Sequence, residues 1–208
     1  MITLNKQTSP KSLVIWLHGL GADCNDFTHF IEKLDRSECE FILPNAPSIP
    51  ITLNQGMMMR GWYDIHALNF EFQDNIGLEA SKIMIEKIIN KRVSQLSNFP
   101  KIIIAGFSQG AALAIYIGLT SKINIDGVIS LSGYQPKISN DSFIKNNLRI
   151  LAMHGRHDDI ININIAKLSY QKNSLENFTL KILDIGHEVI DKQILDIQQF
   201  LLGIHDYE

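Results

Sequence analysis

Lys101-Ile102-Ile103-Ile104-Ala105-Gly106-Phe107-Ser108-Gln109-Gly110-Ala111-Ala112-Leu113-Ala114 changes character at its midpoint. Lys101–Ala105 is a short β-branched run that reads as a strand, and Gln109 onwards is an alanine- and leucine-rich run that reads as a helix. Between them Gly106-Phe107-Ser108-Gln109-Gly110 matches G-x-S-x-G. The bare pattern is short and recurs by chance, but at a strand-to-helix turn it has a physical purpose. A strained serine there projects its hydroxyl above the sheet, and glycines two residues either side let neighbouring elements approach closely. The helix behind it turns its positive end towards any developing oxyanion. The alternative is that Ser108 merely caps the helix.

Outward from this turn, short apolar runs recur at Leu13–Leu17, Phe41–Leu43, Gly127–Leu131, Ile150–Met153 and Phe178–Leu183. They suit strands buried on both faces of a parallel sheet. Helical spacing fills the gaps at Asp26–Leu34, Ile76–Leu96, Ile163–Ser174 and Glu188–Leu202; in the longest of these the apolar positions are Ile76, Ala80, Ile83, Met84, Ile88 and Val93. The alternation predicts an α/β fold with a mostly parallel central sheet and helices on both faces. Functional groups in such sheets gather beyond the carboxyl ends of the strands. Pro47–Asp74 fits neither pattern and reads as a long functional loop, a flap over about 48–74.

The 208 residues carry a net charge of −3 with both signs interspersed, so no basic footprint for nucleic acid or an anionic membrane is present. With 45% hydrophobic residues and no linker or repeat, residues 1–208 read as one domain. Cys24 and Cys39 have no metal-type spacing and read as reduced thiols. No apolar run is long enough for a signal peptide or membrane span, which predicts a cytoplasmic protein without stable membrane insertion.

Ester and amide hydrolysis by serine needs an oxyanion hole, an acid and a base. Gly19-Leu20-Gly21 follows the first strand, and the N–H of Leu20 is the candidate first oxyanion donor, with the N–H of Gln109 as the second. Such donors are worth about 3–4 kcal/mol each in the transition state. His18 precedes the nucleophile and reads as a loop-tying residue. The expected chain order is serine, acid, histidine. Of the seven histidines, only His187 follows a downstream strand outside the acid's own turn, which makes it the candidate base. Asp158, Asp159 and Asp184 all lie just past strand ends, and the residues alone leave the acid open.

Seven motifs in one order resemble the acyl-protein thioesterase / small carboxylesterase (phospholipase/carboxylesterase) family of α/β-hydrolases. They are Leu17-His18-Gly19-Leu20-Gly21-Ala22-Asp23, Pro44-Asn45-Ala46-Pro47, Arg60-Gly61-Trp62-Tyr63-Asp64, Gly106-Phe107-Ser108-Gln109-Gly110, Leu131-Ser132-Gly133-Tyr134, His154-Gly155-Arg156-His157-Asp158 and Gly186-His187-Glu188. The resemblance implies a Ser108, Asp158, His187 triad, the acid being the fifth position of H-G-x-x-D. It also implies no metal, no cofactor and no large cap domain. Asp159 stands where relatives often have proline. Ile49–Tyr63 resembles the family's flap, which makes Met57, Met58, Met59 and Trp62 candidate substrate contacts; the rival reading packs the methionines into the core.

The function this implies is hydrolysis of carboxylic esters or thioesters through an acyl-enzyme, on small molecules, lysophospholipids or lipidated proteins. A non-catalytic binding module on the same fold is the alternative. An exposed apolar flap would also favour a homodimer.

Overall fold

The computed structural model describes residues 1–68, 72–138, 147–171 and 175–205. Seven strands form one sheet. In chain order they are β1 (Ile2–Leu4), β2 (Ser12–Leu17), β3 (Cys39–Leu43), β6 (Lys101–Phe107), β7 (Gly127–Leu131), β8 (Arg149–Gly155) and β9 (Phe178–Leu183). The spatial order is β1-β3-β2-β6-β7-β8-β9, with only β1 antiparallel to its neighbour. All six sequence-predicted strands are present. A separate antiparallel hairpin, β4 (Ser48–Ile51) and β5 (Met57–Arg60), occupies part of the stretch expected to be an irregular loop.

Alternation along β2 decides the two cores. Leu13, Ile15 and Leu17 face one side with Ile102, Ile104 and Leu113, while Val14 and Trp16 face the other with Ile103, Ala105 and Ile129. The first face is covered by α2 (Asn75–Val93), α3 (Gln109–Thr120) and α4 (Ile163–Tyr170), and the second by α1 (Thr28–Glu32) and α5 (Ile194–His205). Every residue of α3 is buried, in keeping with the apolar run from Ala111 to Leu119 that makes up most of it.

Two expectations need correction. In α2 the fully buried apolar positions are Leu78, Ile85 and Ile89; Ile76 is 84% exposed, Ile83 is exposed, and Met84, Ile88 and Val93 are only partly buried. Asp74 starts that helix by accepting from the N–H of Gly77 at 2.8 Å, which places Ile76 in the exposed first turn. The last helix does not begin at Glu188: residues 188–190 are non-helical, Asp191–Gln193 form a short 3-10 turn, and α5 follows. In α4 the described helix ends at Tyr170, and the expected continuation over 172–174 lies outside the described residues, as do 69–71 of the flap and 206–208.

Candidate active site

The two glycines around Ser108 answer to contacts at the sheet's carboxyl edge. A Cβ on Gly110 would meet the carbonyl oxygen of Leu17 at 2.4 Å, and one on Gly106 would meet the backbone of Gly110 at 2.4 Å. Helix α3 can therefore sit against β2 only with these side chains absent. Between them Ser108 has φ 53° and ψ −117°, in the left-handed half of conformational space that a non-glycine residue enters only under constraint. Its N–H donates to the carbonyl of Leu131 at 2.9 Å, while its hydroxyl makes no capping hydrogen bond to α3. The helix-cap reading of this serine fails on that geometry.

His187, on the loop after β9, donates from Nδ1 to Asp158 Oδ2 at 2.7 Å. Its ring rests on Phe107, the residue before the serine, with centroids 4.8 Å apart. Asp158 is buried, and its other oxygen accepts from the N–H groups of Ile160 and Ile161 at 3.0 and 2.7 Å. Burial opposes a charge here, but hydrogen bonds from His154, His187 and Ile161 outweigh it and hold the carboxyl well below the usual carboxylate range. The other two acids are placed elsewhere: Asp184 accepts from His157 Nε2 at 2.7 Å on the surface, and Asp159 is exposed.

Ser108, Gln109, Leu20 and His187 share the lining of one cleft of about 350 Å³. Gln109 occupies the first position of α3, where the N–H has no carbonyl one turn back to receive it. Its buried side chain accepts from the N–H of Trp62 at 3.0 Å and donates to the carbonyl of Tyr63 at 2.6 Å. Trp62 in turn donates its indole N–H to the carbonyl of His18 at 2.8 Å. His18 ties the loop as expected: Nδ1–H donates to the carbonyl of Gly19 at 2.7 Å, and Nε2 accepts from Ala46 N–H at 3.0 Å. Burial pushes the His18 imidazole below its ordinary pKa. Gly21 turns the chain through φ 77°, and its N–H reaches the carbonyl of Arg60 at 2.8 Å. The glycine loop, the base of the hairpin and the helix start are thus one hydrogen-bonded unit.

The cleft walls are apolar, but they are not built from the expected residues. Leu53, Ile65, Leu68, Tyr134, Ile160 and Ile161 line it. Met57 and Met58 point to solvent, 64% and 60% exposed, and Met59 is half-buried with Asn54 Nδ2 at 3.3 Å from its sulfur. Trp62 is fully buried against the start of the glycine loop, at His18. None of these four is among the cleft-lining residues. Leu53, Ile65 and Leu68 belong to the same irregular stretch, and Ile160 and Ile161 directly follow Asp158. Their apolar character was visible in the sequence, but not which of them faces the serine.

Among the described residues no group of three or more His, Cys, Asp or Glu side chains could hold a metal ion, and no helix is long and apolar enough to cross a membrane. Cys24 and Cys39 are free and buried.

Residues 2–205 match the phospholipase/carboxylesterase family. The chain is 31% identical to acyl-protein thioesterase 1 of Neurospora crassa, covering 90% of this chain and 84% of the relative. It is 31% identical to acyl-protein thioesterase 1 homolog 2 of Dictyostelium discoideum, covering 95% and 96%. Its fold is similar to the crystal structure of Zea mays acyl-protein thioesterase 2, with a TM-score of 0.84 over 98% of both chains at 22% identity. With an α/β sheet, a strained serine at a strand-to-helix turn and this extent of similarity, the chain belongs to the phospholipase/carboxylesterase family and is a serine hydrolase of the α/β-hydrolase fold.

Proposed function

We propose that the chain hydrolyses carboxylic esters and thioesters through an acyl-enzyme formed on Ser108. The observation that carries this reading is the 2.7 Å hydrogen bond from His187 Nδ1 to buried Asp158, with His187 and Ser108 lining one cleft. With Nδ1–H fixed by the carboxylate, Nε2 of His187 is the nitrogen left to take a proton. Ser108 Oγ bonds to the substrate carbonyl carbon as its proton passes to Nε2. The alkoxide or thiolate then leaves with that proton, and water repeats the sequence to release the acid. Asp158 keeps the imidazole oriented and stabilises the imidazolium. The N–H groups of Leu20 and Gln109 receive the oxyanion.

An aliphatic wall of Leu53, Ile65, Leu68, Ile160 and Ile161 suits an acyl chain, and the relatives named above are acyl-protein thioesterases. The substrates proposed are acyl thioesters and esters, including lipidated proteins, with lysophospholipids using the same machinery. A compartment that keeps Cys24 and Cys39 reduced, such as the cytoplasm, fits two buried free thiols.

A fluorophosphonate probe tests the reading directly. Labelling of the wild type that disappears in Ser108→Ala, with parallel loss of p-nitrophenyl ester and acyl thioester hydrolysis, supports it. Unchanged labelling or turnover in that variant rejects it.

A further inference from the structure

Asp158 is reached by a second imidazole. His154 belongs to β8 and is 1% exposed, and its Nε2 lies 2.7 Å from the carbonyl oxygen of Ile161 and 3.2 Å from Asp158 Oδ2. Both neighbours are acceptors, so Nε2 carries the hydrogen and shares it between them. Oδ2 is the same oxygen that receives His187 Nδ1–H. With Ile160 and Ile161 donating to Oδ1, the carboxylate has donors on both oxygens and no free rotation about its Cβ–Cγ bond. Nδ1 of His154 is buried with no hydrogen-bond partner among the described residues. A side chain that only filled space would not leave a buried polar atom unsatisfied, since leucine or phenylalanine would fill the volume without that penalty.

The peptide of Ile161 links this arrangement to the substrate side. Its N–H donates to Asp158, its carbonyl accepts from His154 Nε2–H, and its side chain is part of the cleft wall. One imidazole therefore touches both the acid and the segment that forms this part of the wall. The other charged side chains on the two loops, Arg156, His157, Asp159, Asp184 and Glu188, are exposed, so they do not substitute for it.

We infer that His154 is a positioning residue for hydrolysis, holding Asp158 Oδ2 in line with His187 Nδ1 and fixing the Ile161 segment of the cleft. The inference rests on the proposed roles of Asp158 and His187. Removing the Nε2–H donor takes one of the two donors from Oδ2, loosens its alignment with His187 Nδ1 and leaves the charge on that oxygen to His187 alone. Turnover then falls, and the acid limb of kcat/KM moves to higher pH because the imidazolium of His187 is better stabilised.

The test compares His154→Leu, His154→Gln and His154→Asn with Asp158→Asn in hydrolysis of a p-nitrophenyl ester from pH 5 to 9. Glutamine places an amide N–H near the Nε2 position, whereas asparagine falls short of it. Expected are a kcat loss of about 10- to 100-fold in His154→Leu and His154→Asn, the range for one charge-assisted hydrogen bond, and an upward-shifted acid limb. His154→Gln should recover most of the rate and the wild-type limb. If His154→Leu does not fold, the Gln and Asn pair carries the comparison. Equal rates in Gln and Asn, or losses with an unmoved acid limb, overturn the inference while an inactive Asp158→Asn leaves the proposed mechanism standing. A fully active Asp158→Asn overturns both.

Discussion

The indole N–H of Trp62 and the carbonyl of His18 meet at 2.8 Å although 44 residues separate them in the chain, and their rings lie 5.1 Å apart. This bond fastens the hairpin base to the glycine loop that carries Leu20. Trp62→Phe keeps most of the buried area but strands a buried carbonyl, which should destabilise by about 1–3 kcal/mol. It should also lower kcat/KM for a short ester more than KM changes, as the Leu20 N–H loses its support. Met57→Ala and Met58→Ala, on exposed positions, should alter stability by no more than about 0.5 kcal/mol. Urea unfolding and ester kinetics on the three variants check both halves.

The packing of α3 on β2 separates two glycines that look alike in sequence. Gly110→Ala drives a methyl to 2.4 Å from Leu17 O and 2.6 Å from His18 O, both backbone atoms, and should cost about 3 kcal/mol or more. Gly21→Ala meets nothing within 4 Å and bears only the φ of +77°, worth about 1–2 kcal/mol. Denaturant midpoints at equal m-value would show the larger fall in Gly110→Ala.

Ser108 holds a backbone conformation it would not choose alone. Ser108→Ala and Ser108→Gly should both be silent to a fluorophosphonate. The glycine variant should nonetheless be the more stable of the two by about 1 kcal/mol, because relief of 1–3 kcal/mol of strain exceeds the extra entropy of the unfolded glycine. Calorimetric Tm values compare them directly.

Acid should lower the stability of the protein over two separate pH ranges. Burial lowers the His18 pKa, so the unfolded chain binds the proton more readily. The stability from neutral His18 is complete above about pH 6.5 and is lost as pH falls from there towards its folded value. Asp158 is depressed despite its burial by its hydrogen bonds. Its contribution is complete above about pH 3.9 and is lost as pH falls through the folded value below that. Urea unfolding at stepped pH should show both segments, with His18→Gln flattening the first and Asp158→Asn the second.

The legibility of this chain follows its physics. Strands β2, β6, β7 and β8 announced themselves because burial on both faces demands uninterrupted apolar runs. Strand β1 escaped because three residues at a sheet edge carry no such demand. The hairpin β4–β5 escaped because Pro50, three methionines and Gly56 lack a strand's composition, and its pairing register supplies the order instead. Local setting and chain order single out Ser108 and His187, the proposed nucleophile and base. Among three acids within reach of the strand ends, only the family resemblance pointed to Asp158; the fold gives Asp184 to His157 and leaves Asp159 in solvent. The cleft wall was not readable at all, since which side of an irregular segment faces inward depends on tertiary contacts.

The sheet order has one consequence for how this molecule is made. Strand β2 lies between β3, which follows it closely, and β6, whose Gly106 pairs with Leu17 from far down the chain. A ribosome therefore releases this interior strand long before one of its two neighbours. Until Phe107 has emerged, β2 presents an apolar strand with a bare row of N–H and C=O groups, the kind of edge that recruits other chains. Between translation of Leu17 and of Phe107 that edge stays open, and shielding it is what a chaperone would contribute in this interval.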